Sequence, residues 1–530
     1  MEKVVIPKKE LEKYYLKTFS LHEKRRDFAI QIQNYIKDYK HFENMLIILS
    51  RECWGAEHYD IVNLLHNKVT MKAVSQKAKG KEKTKDNIKK VCDYFKNNDL
   101  FHEMVDFSKK NLNGHNVSMI VARLKKDWDN SKNKRDEYFK DPSKFKGKPQ
   151  FPKPKKLQNV FQYSIPLEGS KWSTKKLNKN RLGFTLSKRQ ILTFVNANHA
   201  YLKNKKIKSM TISLSHGHVY YNFNYVEKIN KKVKHNPLKS VKKEAGLDIG
   251  VVNLASLFIN DFNSSSLILS GRNFKHYNST FNRKLAKLNE LISKEVIEFK
   301  EIKNKKGELI KVPLKYSEKG IKLRFIKSNL FEKRKRYFDD QFNKLSKKIL
   351  QFLKSNHVTH LVISKNLSFT KQTGEIQQRK KTKQNFYQIP FGKLLNLIEE
   401  KSVTFNIEVK DIDEAYTSKT SCLSSNVVDI QALSKTQKIT PTDLNGNRGV
   451  NQKRGLFRDS LLNKLLNSDL NGAANHIKLG FPDVDLSVYR NHLHKVCNPI
   501  KITSTSELDK LLNDLKNSEV EKKTTLQKAA

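Results

Sequence analysis

The chain has 530 residues, 37% of them hydrophobic, and carries 104 Lys and Arg against 53 Asp and Glu, a formal net charge of +51. That length allows three or four domains at roughly 150 residues each, and no apolar run approaches the roughly 18 residues needed to span a bilayer. A basic excess of this size repels itself in a compact state and calls for a polyanion; lysine-rich composition alone would not thin the acids, so the expected partner is nucleic acid and not a membrane.

From the start, Met1-Glu2-Lys3 opens on charge, so no secretory signal is expected. Residues 21–52 carry Phe28, Ile32, Tyr35, Ile36, Tyr39, Phe42, Leu46 and Leu49 at helical spacing. Further helices are expected over 58–78, 86–110 and 116–140, with Trp54, Trp128 and the tyrosines of this block as core of a helical bundle. Prolines and a glycine break the helical pattern over 143–156, where lysines alternate with Phe145 and Phe151. Two readings stand for this segment: a solvated linker, or an extended arm lying on nucleic acid. Strand patterns follow at Arg181–Leu186, Gln190–Val195, Ile207–Leu214 and His218–Val226, with His216-Gly217 as a hairpin turn. They suggest a small barrel interrupted by the helical block, then a basic connector over 228–243. Basic clusters recur along the whole chain, at 144–156, 203–208, 231–243, 333–336 and 379–383. Many patches fit a long duplex held by its phosphates better than a single reading helix.

The second half carries the chemistry. Gly246-Leu-Asp-Ile-Gly250 sets one acid, Asp248, in an apolar strand, where a carboxylate is expensive unless a metal or a partner compensates it. Two helices are expected next, along Tyr277–Val296 and Phe338–Phe352, with a basic segment 300–336 between them. Apolar strands follow at His360–Asn366 and Phe405–Glu414. Asn467-Ser-Asp-Leu-Asn-Gly-Ala-Ala-Asn475 reads as a helix with small residues for close packing on a sheet and with Asp469 near its start. An early strand acid and a late helix acid are the outer pair that an RNase H-like, two-Mg²⁺ site requires. His476 reads as a helix-face residue. Cys53, Cys92, Cys422 and Cys497 form no CxxC pair, which excludes a disulfide framework and a four-ligand zinc site and points to a reducing compartment. The stretch 481–530 reads as a peripheral tail.

Several motifs, in order, resemble the TnpB family and its relatives among Fanzor proteins and compact type V CRISPR effectors: Gly246–Gly250, Asn385-Phe-Tyr-Gln-Ile-Pro-Phe391, Glu414-Ala-Tyr-Thr-Ser-Lys-Thr420, Lys453-Arg-Gly-Leu-Phe457 and Ser468–Asn475, with Ser143-Lys-Phe-Lys-Gly-Lys148 before them. The resemblance implies an α+β multidomain protein. An N-terminal wedge β-barrel (1–25 and 141–243) would hold an inserted helical recognition lobe (26–140). A RuvC-like RNase H fold nuclease domain (244–420 and 461–480) would follow, with a helical hairpin insertion and a reduced, zinc-less ribbon segment (421–460). It also implies a guide RNA, a double-stranded DNA target cut beside a short flanking motif to leave a 5′-phosphate, and two Mg²⁺ held by Asp248, Glu414 and Asp469. Lys144, Lys146, Lys148, Lys153, Lys155, Lys156, Arg379, Lys380 and Lys381 are the nucleic-acid contacts expected. The setting would be the nucleoid-bearing cytoplasm of a bacterial host or the nucleus of a eukaryotic one.

Two features depart from the family pattern. Its second acid usually ends the strand at 361–364, where this chain has Ser364-Lys-Asn366, and a rearranged branch uses a Glu on the next strand, the place of Glu414. The zinc ribbon keeps only Cys422. A guided binder that no longer cuts, and an unguided RNase H-fold nuclease or transposase, are the alternatives these departures leave.

Overall fold

The computed structural model describes residues 14–22, 26–76, 82–145, 147–155, 162–167, 181–185, 192–196, 206–228, 242–303, 307–365, 388–423, 427–428, 450–453, 455–459 and 463–529. The chain is a mixed α+β protein that divides into two compact units, Met1–Val233 and Lys234–Ala530. No helix among the described residues is long and apolar enough to cross a membrane.

In the first unit, β1 (Tyr14–His22) precedes α1 (Arg26–Gly55), α2 (Tyr59–Leu65), α3 (Lys68–Gln76), α4 (Glu82–Tyr94), α5 (Asp99–Asn111) and α6 (Gly114–Lys140). Then come β2 (Gln162–Leu167), β3 (Arg181–Thr185), β4 (Leu192–Asn196), β5 (Lys206–Ser215) and β6 (His218–Lys228). An antiparallel sheet runs β1-β6-β5-β2, so the helices interrupt one sheet between its first and second strands in sequence. Ile32, Ile36, Tyr39, Phe42, Leu46 and Leu49 repeat every three or four residues along α1, and all are fully buried. Asn98 and Asn113 cap α5 and α6 by accepting from the backbone N–H groups of Phe101 and Asn116. His216 and Gly217 both have positive φ, 48° and 81°, which is the primed turn that a two-residue hairpin needs between Ser215 and His218.

The proline-rich segment after α6 is docked rather than free. Phe151 stacks on Trp128 with centroids 4.4 Å apart and meets Trp54 at 4.8 Å. Asn44 of α1 exchanges two hydrogen bonds with the Lys155 backbone, at 2.6 and 2.7 Å. Phe151 therefore completes the helical core.

In the second unit, β7 (Glu244–Asp248), β8 (Asn253–Ile259) and β9 (Leu267–Ser270) form an antiparallel meander. After α7 (Arg272–Ser293), β10 (Val296–Lys303), β11 (Leu309–Tyr316) and α8 (Glu318–Ser355), β12 (His360–Ser364) returns parallel to β7. Next, α9 (Phe391–Phe405) leads to β13 (Glu408–Ile412), parallel to β12. A small sheet of β14 (Val450–Lys453), β15 (Leu456–Asp459) and β16 (Lys464–Asn467) precedes α10 (Ser468–Gly480), α11 (His494–Cys497), β17 (Ile500–Ile502) and α12 (Thr505–Ala529). The main sheet is thus mixed, in the order β13-β12-β7-β8-β9-β17.

Helices cover both faces of this sheet, which is why its strands read as unbroken apolar runs. With a side-chain period of two, Ala245, Leu247 and Leu257 join the core built by α8, α9 and α12, while Phe258 and Ile268 join the core under α10. Gly246 and Asp248 fall on the α10 side. A Cβ on Gly246 would stand 1.8 Å from the carbonyl oxygen of Ala473, so the backbone of α10 rests directly on β7.

Several expectations change. The first of the paired helices stops at Ser293, and Val296 starts a strand; within the basic segment, β10 pairs antiparallel with β11, and the second helix begins at Glu318, well before Phe338. Phe405 ends a helix, so the strand expected from it begins at Glu408. The stretch after 480 is not peripheral: β17 pairs with β9 as an edge strand, and Leu508 and Leu512 of α12 are buried in the main core.

Gly246→Ala is expected to destabilise this unit by roughly 1–3 kcal/mol or more, because the added methyl must displace backbone. Gly392→Ala, where a Cβ meets nothing within 4 Å, is expected to leave it unchanged. Thermal melting of the full chain with each substitution compares the two.

Candidate metal centre

Three acids expected from the sequence lie at one end of the mixed sheet. Asp248 is the last residue of β7, Glu414 follows β13 by two residues, and Asp469 sits in the first turn of α10. Each comes from a separate element, and each is half-buried.

Asp248 is enclosed most. Gly472 of α10 faces it so closely that a Cβ there would lie 3.1 Å from Asp248 Oδ2. Burial, then the charges of Asp469 and Glu414, push the Asp248 carboxyl up to about 8, against a weaker opposing pull from the Ile249 backbone N–H. Burial also raises Glu414, with a smaller upward push from Asp413 and an opposing hydrogen bond from Ser364. That contact is informative. Ser364 ends β12, where the resemblance implies an acid, and the longer Glu414 side chain reaches back to it from beyond the neighbouring strand.

Asp469 is held by its helix and by Asn253. Asn467 caps α10, its Oδ1 accepting from the backbone N–H groups of Asp469 and Leu470, both at 3.1 Å. Asn253, the first residue of β8, donates from Nδ2 to Asp469 Oδ2. Among the described residues no Lys or Arg ion-pairs with Asp248, Glu414 or Asp469.

The loop carrying Glu414 is clamped to the helix carrying Asp469. Asn475 Nδ2 donates to the carbonyls of Thr417 and Thr420 at 2.8 and 2.7 Å. Asn471 donates to Thr420 O and accepts from the Cys422 N–H, both at 2.8 Å. Both asparagines are fully buried. Their spacing within Ser468–Asn475 was visible in the sequence, but their partners, some fifty residues away, were not.

His476 is a helix-face residue, as expected, on the side of α10 turned to the sheet: it is 1% exposed, its Nδ1 lies 2.9 Å from Leu247 O, and one of its ring nitrogens lies within 4.8 Å of carboxylate oxygens of both Asp248 and Glu414. Burial lowers its pKa to about 4, so the ring is neutral at pH 7. These donors fit a divalent cation: oxygens from separate elements, like charges crowded together, and among the described residues no basic side chain ion-paired with them.

The lysines expected to touch nucleic acid divide. Lys148 and Lys153 are exposed, and Lys144 closes the short 3-10 turn Pro142–Lys144. Lys155 is engaged within its own unit, 3.1 Å from both oxygens of the buried Glu43. Lys146, Lys156, Arg379, Lys380 and Lys381 lie outside the described residues.

Residues 225–370 match the family model described as OrfB_IS605, probable transposase. No curated protein matches the chain. Among solved structures, a Cas12f1–sgRNA–target DNA complex is 15% identical, with 89% of this chain and 100% of that chain covered and a TM-score of 0.28. A CRISPR-Cas12f ternary complex is 12% identical, covering 87% and 86%, with a TM-score of 0.29. An AacC2c1–sgRNA binary complex is 9% identical, covering 86% and 70%, also with a TM-score of 0.29. The segment 225–370, which spans the start of the second unit through β12, is thus similar to the OrfB_IS605 transposase family.

Proposed function

We propose that the chain is an RNA-guided, divalent-metal-dependent DNA endonuclease, with a RuvC-like RNase H fold in its second unit and Asp248, Glu414 and Asp469 as its metal ligands. The observation that carries this reading is the convergence of three carboxylates at one end of the mixed sheet, with no basic ion-pair partner among the described residues. The sheet order supports it: an antiparallel meander continued beyond β7 by the parallel strands β12 and β13, with an acid at the end of β7 and another on a helix packed across it. Divalent cations bound there, Mg²⁺ by the family resemblance, would activate a water and stabilise the leaving oxygen of a phosphodiester.

The chain's own residues do the positioning. Asn253 fixes one oxygen of Asp469, Ser364 holds the Glu414 carboxylate beside β12, and Gly472 leaves room beside Asp248. Asn471 and Asn475 keep the Glu414 loop in register with α10. The formal charge of +51 suits a protein that holds a guide RNA and a DNA target by their phosphates. Exposed Lys148 and Lys153 are candidate contacts in that role, and Lys155 is withdrawn from it by Glu43. The strands before and after the helical block would form the barrel that carries the recognition lobe.

The test is co-expression with the flanking genomic segment, sequencing of the bound RNA, and assay on a plasmid library of randomised flanks with Mg²⁺. A discrete RNA and flank-dependent cutting are expected. Asp248→Ala, Glu414→Ala and Asp469→Ala should each lower cutting by roughly a hundredfold or more while RNA stays bound. Flank-dependent binding without cutting would make the protein a guided repressor, and cutting without bound RNA would make it an unguided nuclease.

The raised Asp248 pKa gives a second expectation. An unfolded Asp titrates near 3.9, so the metal-free folded protein keeps a proton that the unfolded chain releases. Stability from this group is full below about pH 3.9 and is lost progressively as pH rises to about 8. With chelator present, the melting temperature of the wild type should therefore fall more steeply from pH 5 to pH 8 than that of Asp248→Asn. Saturating Mg²⁺ should abolish the excess slope, because the cation binds the ionised form. Equal slopes in chelator would contradict the crowding of charge at Asp248.

A further inference from the structure

His476 has no task in a site of three carboxylates, yet its ring lies beside two of them, Asp248 and Glu414. It stands seven residues after Asp469, two turns along α10, and so shares the face that rests on the sheet. Its Nδ1 meets the carbonyl oxygen of Leu247 at 2.9 Å; a carbonyl only accepts, so Nδ1 carries the hydrogen and Nε2 holds the lone pair. Nε2 is buried and has no hydrogen-bond partner among the described residues. A backbone carbonyl that fixes one ring nitrogen and leaves the other bare is the arrangement that orients metal-binding histidines. A histidine kept for packing alone would have apolar neighbours, whereas a ring nitrogen of this one lies within 4.8 Å of oxygens of Asp248 and Glu414.

We infer that His476 is a nitrogen ligand of the cation held by Asp248 and Glu414, and that it biases this position from Mg²⁺ toward first-row transition ions such as Mn²⁺ and Co²⁺. The inference rests on the reading of those two acids as metal ligands. Mg²⁺ favours oxygen donors throughout, while an imidazole beside carboxylates suits the transition series. The helix position adds to the argument. An aliphatic side chain at 476 would fill the same space under α10 without leaving an unpaired nitrogen in a buried site.

The probe is Mn²⁺ added to the full-length protein as purified, with free ion counted by electron paramagnetic resonance and Mg²⁺ as competitor. In the wild type, pulsed measurements on bound Mn²⁺ should show ¹⁴N coupling from a directly bound imidazole. His476→Asn keeps an amide N–H for Leu247 O but removes Nε2, and it should lower the preference for Mn²⁺ over Mg²⁺ by roughly tenfold or more. Asp248→Asn should remove the bound ion. Bound Mn²⁺ without ¹⁴N coupling, lost in Asp248→Asn but unchanged in His476→Asn, would overturn the ligand role and leave the carboxylate site standing. Absence of any Asp248-dependent Mn²⁺ binding would overturn both. Should His476→Asn fail to fold, the ¹⁴N coupling in the wild type decides alone.

Discussion

The bare backbone contact between α10 and β7 at Gly246 is the constraint on which the site depends. A helix that rests on a strand with no side chain between them brings its own small residues against the strand's neighbours. Gly472 then lies over Asp248, His476 reaches Leu247 O, and Asp469 comes beside Asn253 of β8. Any residue larger than glycine at 246 would lift the helix and open all three contacts together. The run of small residues in Ser468–Asn475 is therefore a distance requirement before it is a motif.

The electrostatics follow from that closeness. Asp248 loses water to the helix above it and sits near two other acids, so its charged form is disfavoured in the metal-free protein. The fold tolerates this strain because the surrounding polar groups are well tied. Asn471 and Asn475 are fully buried and bonded to the loop after Glu414, and Asn253 holds Asp469. Rigid placement of like charges is a poor arrangement for stability and a good one for binding a cation. Glu414 fits the same logic. Its carboxylate stands at Ser364, at the end of β12, although its backbone belongs to the segment after β13. The position of the charge is what the site requires, and a longer side chain from an adjacent strand supplies it.

Much of this was legible from residue pattern. The helical spacing along α1, the His216-Gly217 turn, the buried strand around Asp248 and the helix beginning near Asp469 are each encoded locally, by periodicity, turn chemistry or capping. What escaped was encoded by distant partners. The pairing of β10 with β11 escaped because most of their side chains face water and a bulge breaks the register, so Ile297, Phe299, Ile302 and Ile310 follow no period-two apolar pattern. The pairing of Ile500–Ile502 with β9 depends on a strand more than two hundred residues earlier. Lys155 looked like one more lysine in a basic arm, and only the buried Glu43 distinguishes it. His476 gave no signal, since its surroundings come from β7 and from the loop after β13.

On the proposed reading, a carboxylate beside Ser364 completes the metal centre, whichever segment carries it. The most direct test moves the acid. Glu414→Ser alone should abolish metal-dependent DNA cutting, and Glu414→Ser combined with Ser364→Glu should restore a substantial part of it by returning the carboxylate from β12. A double variant as inactive as the single one, while still folded and still holding its RNA, would contradict the claim.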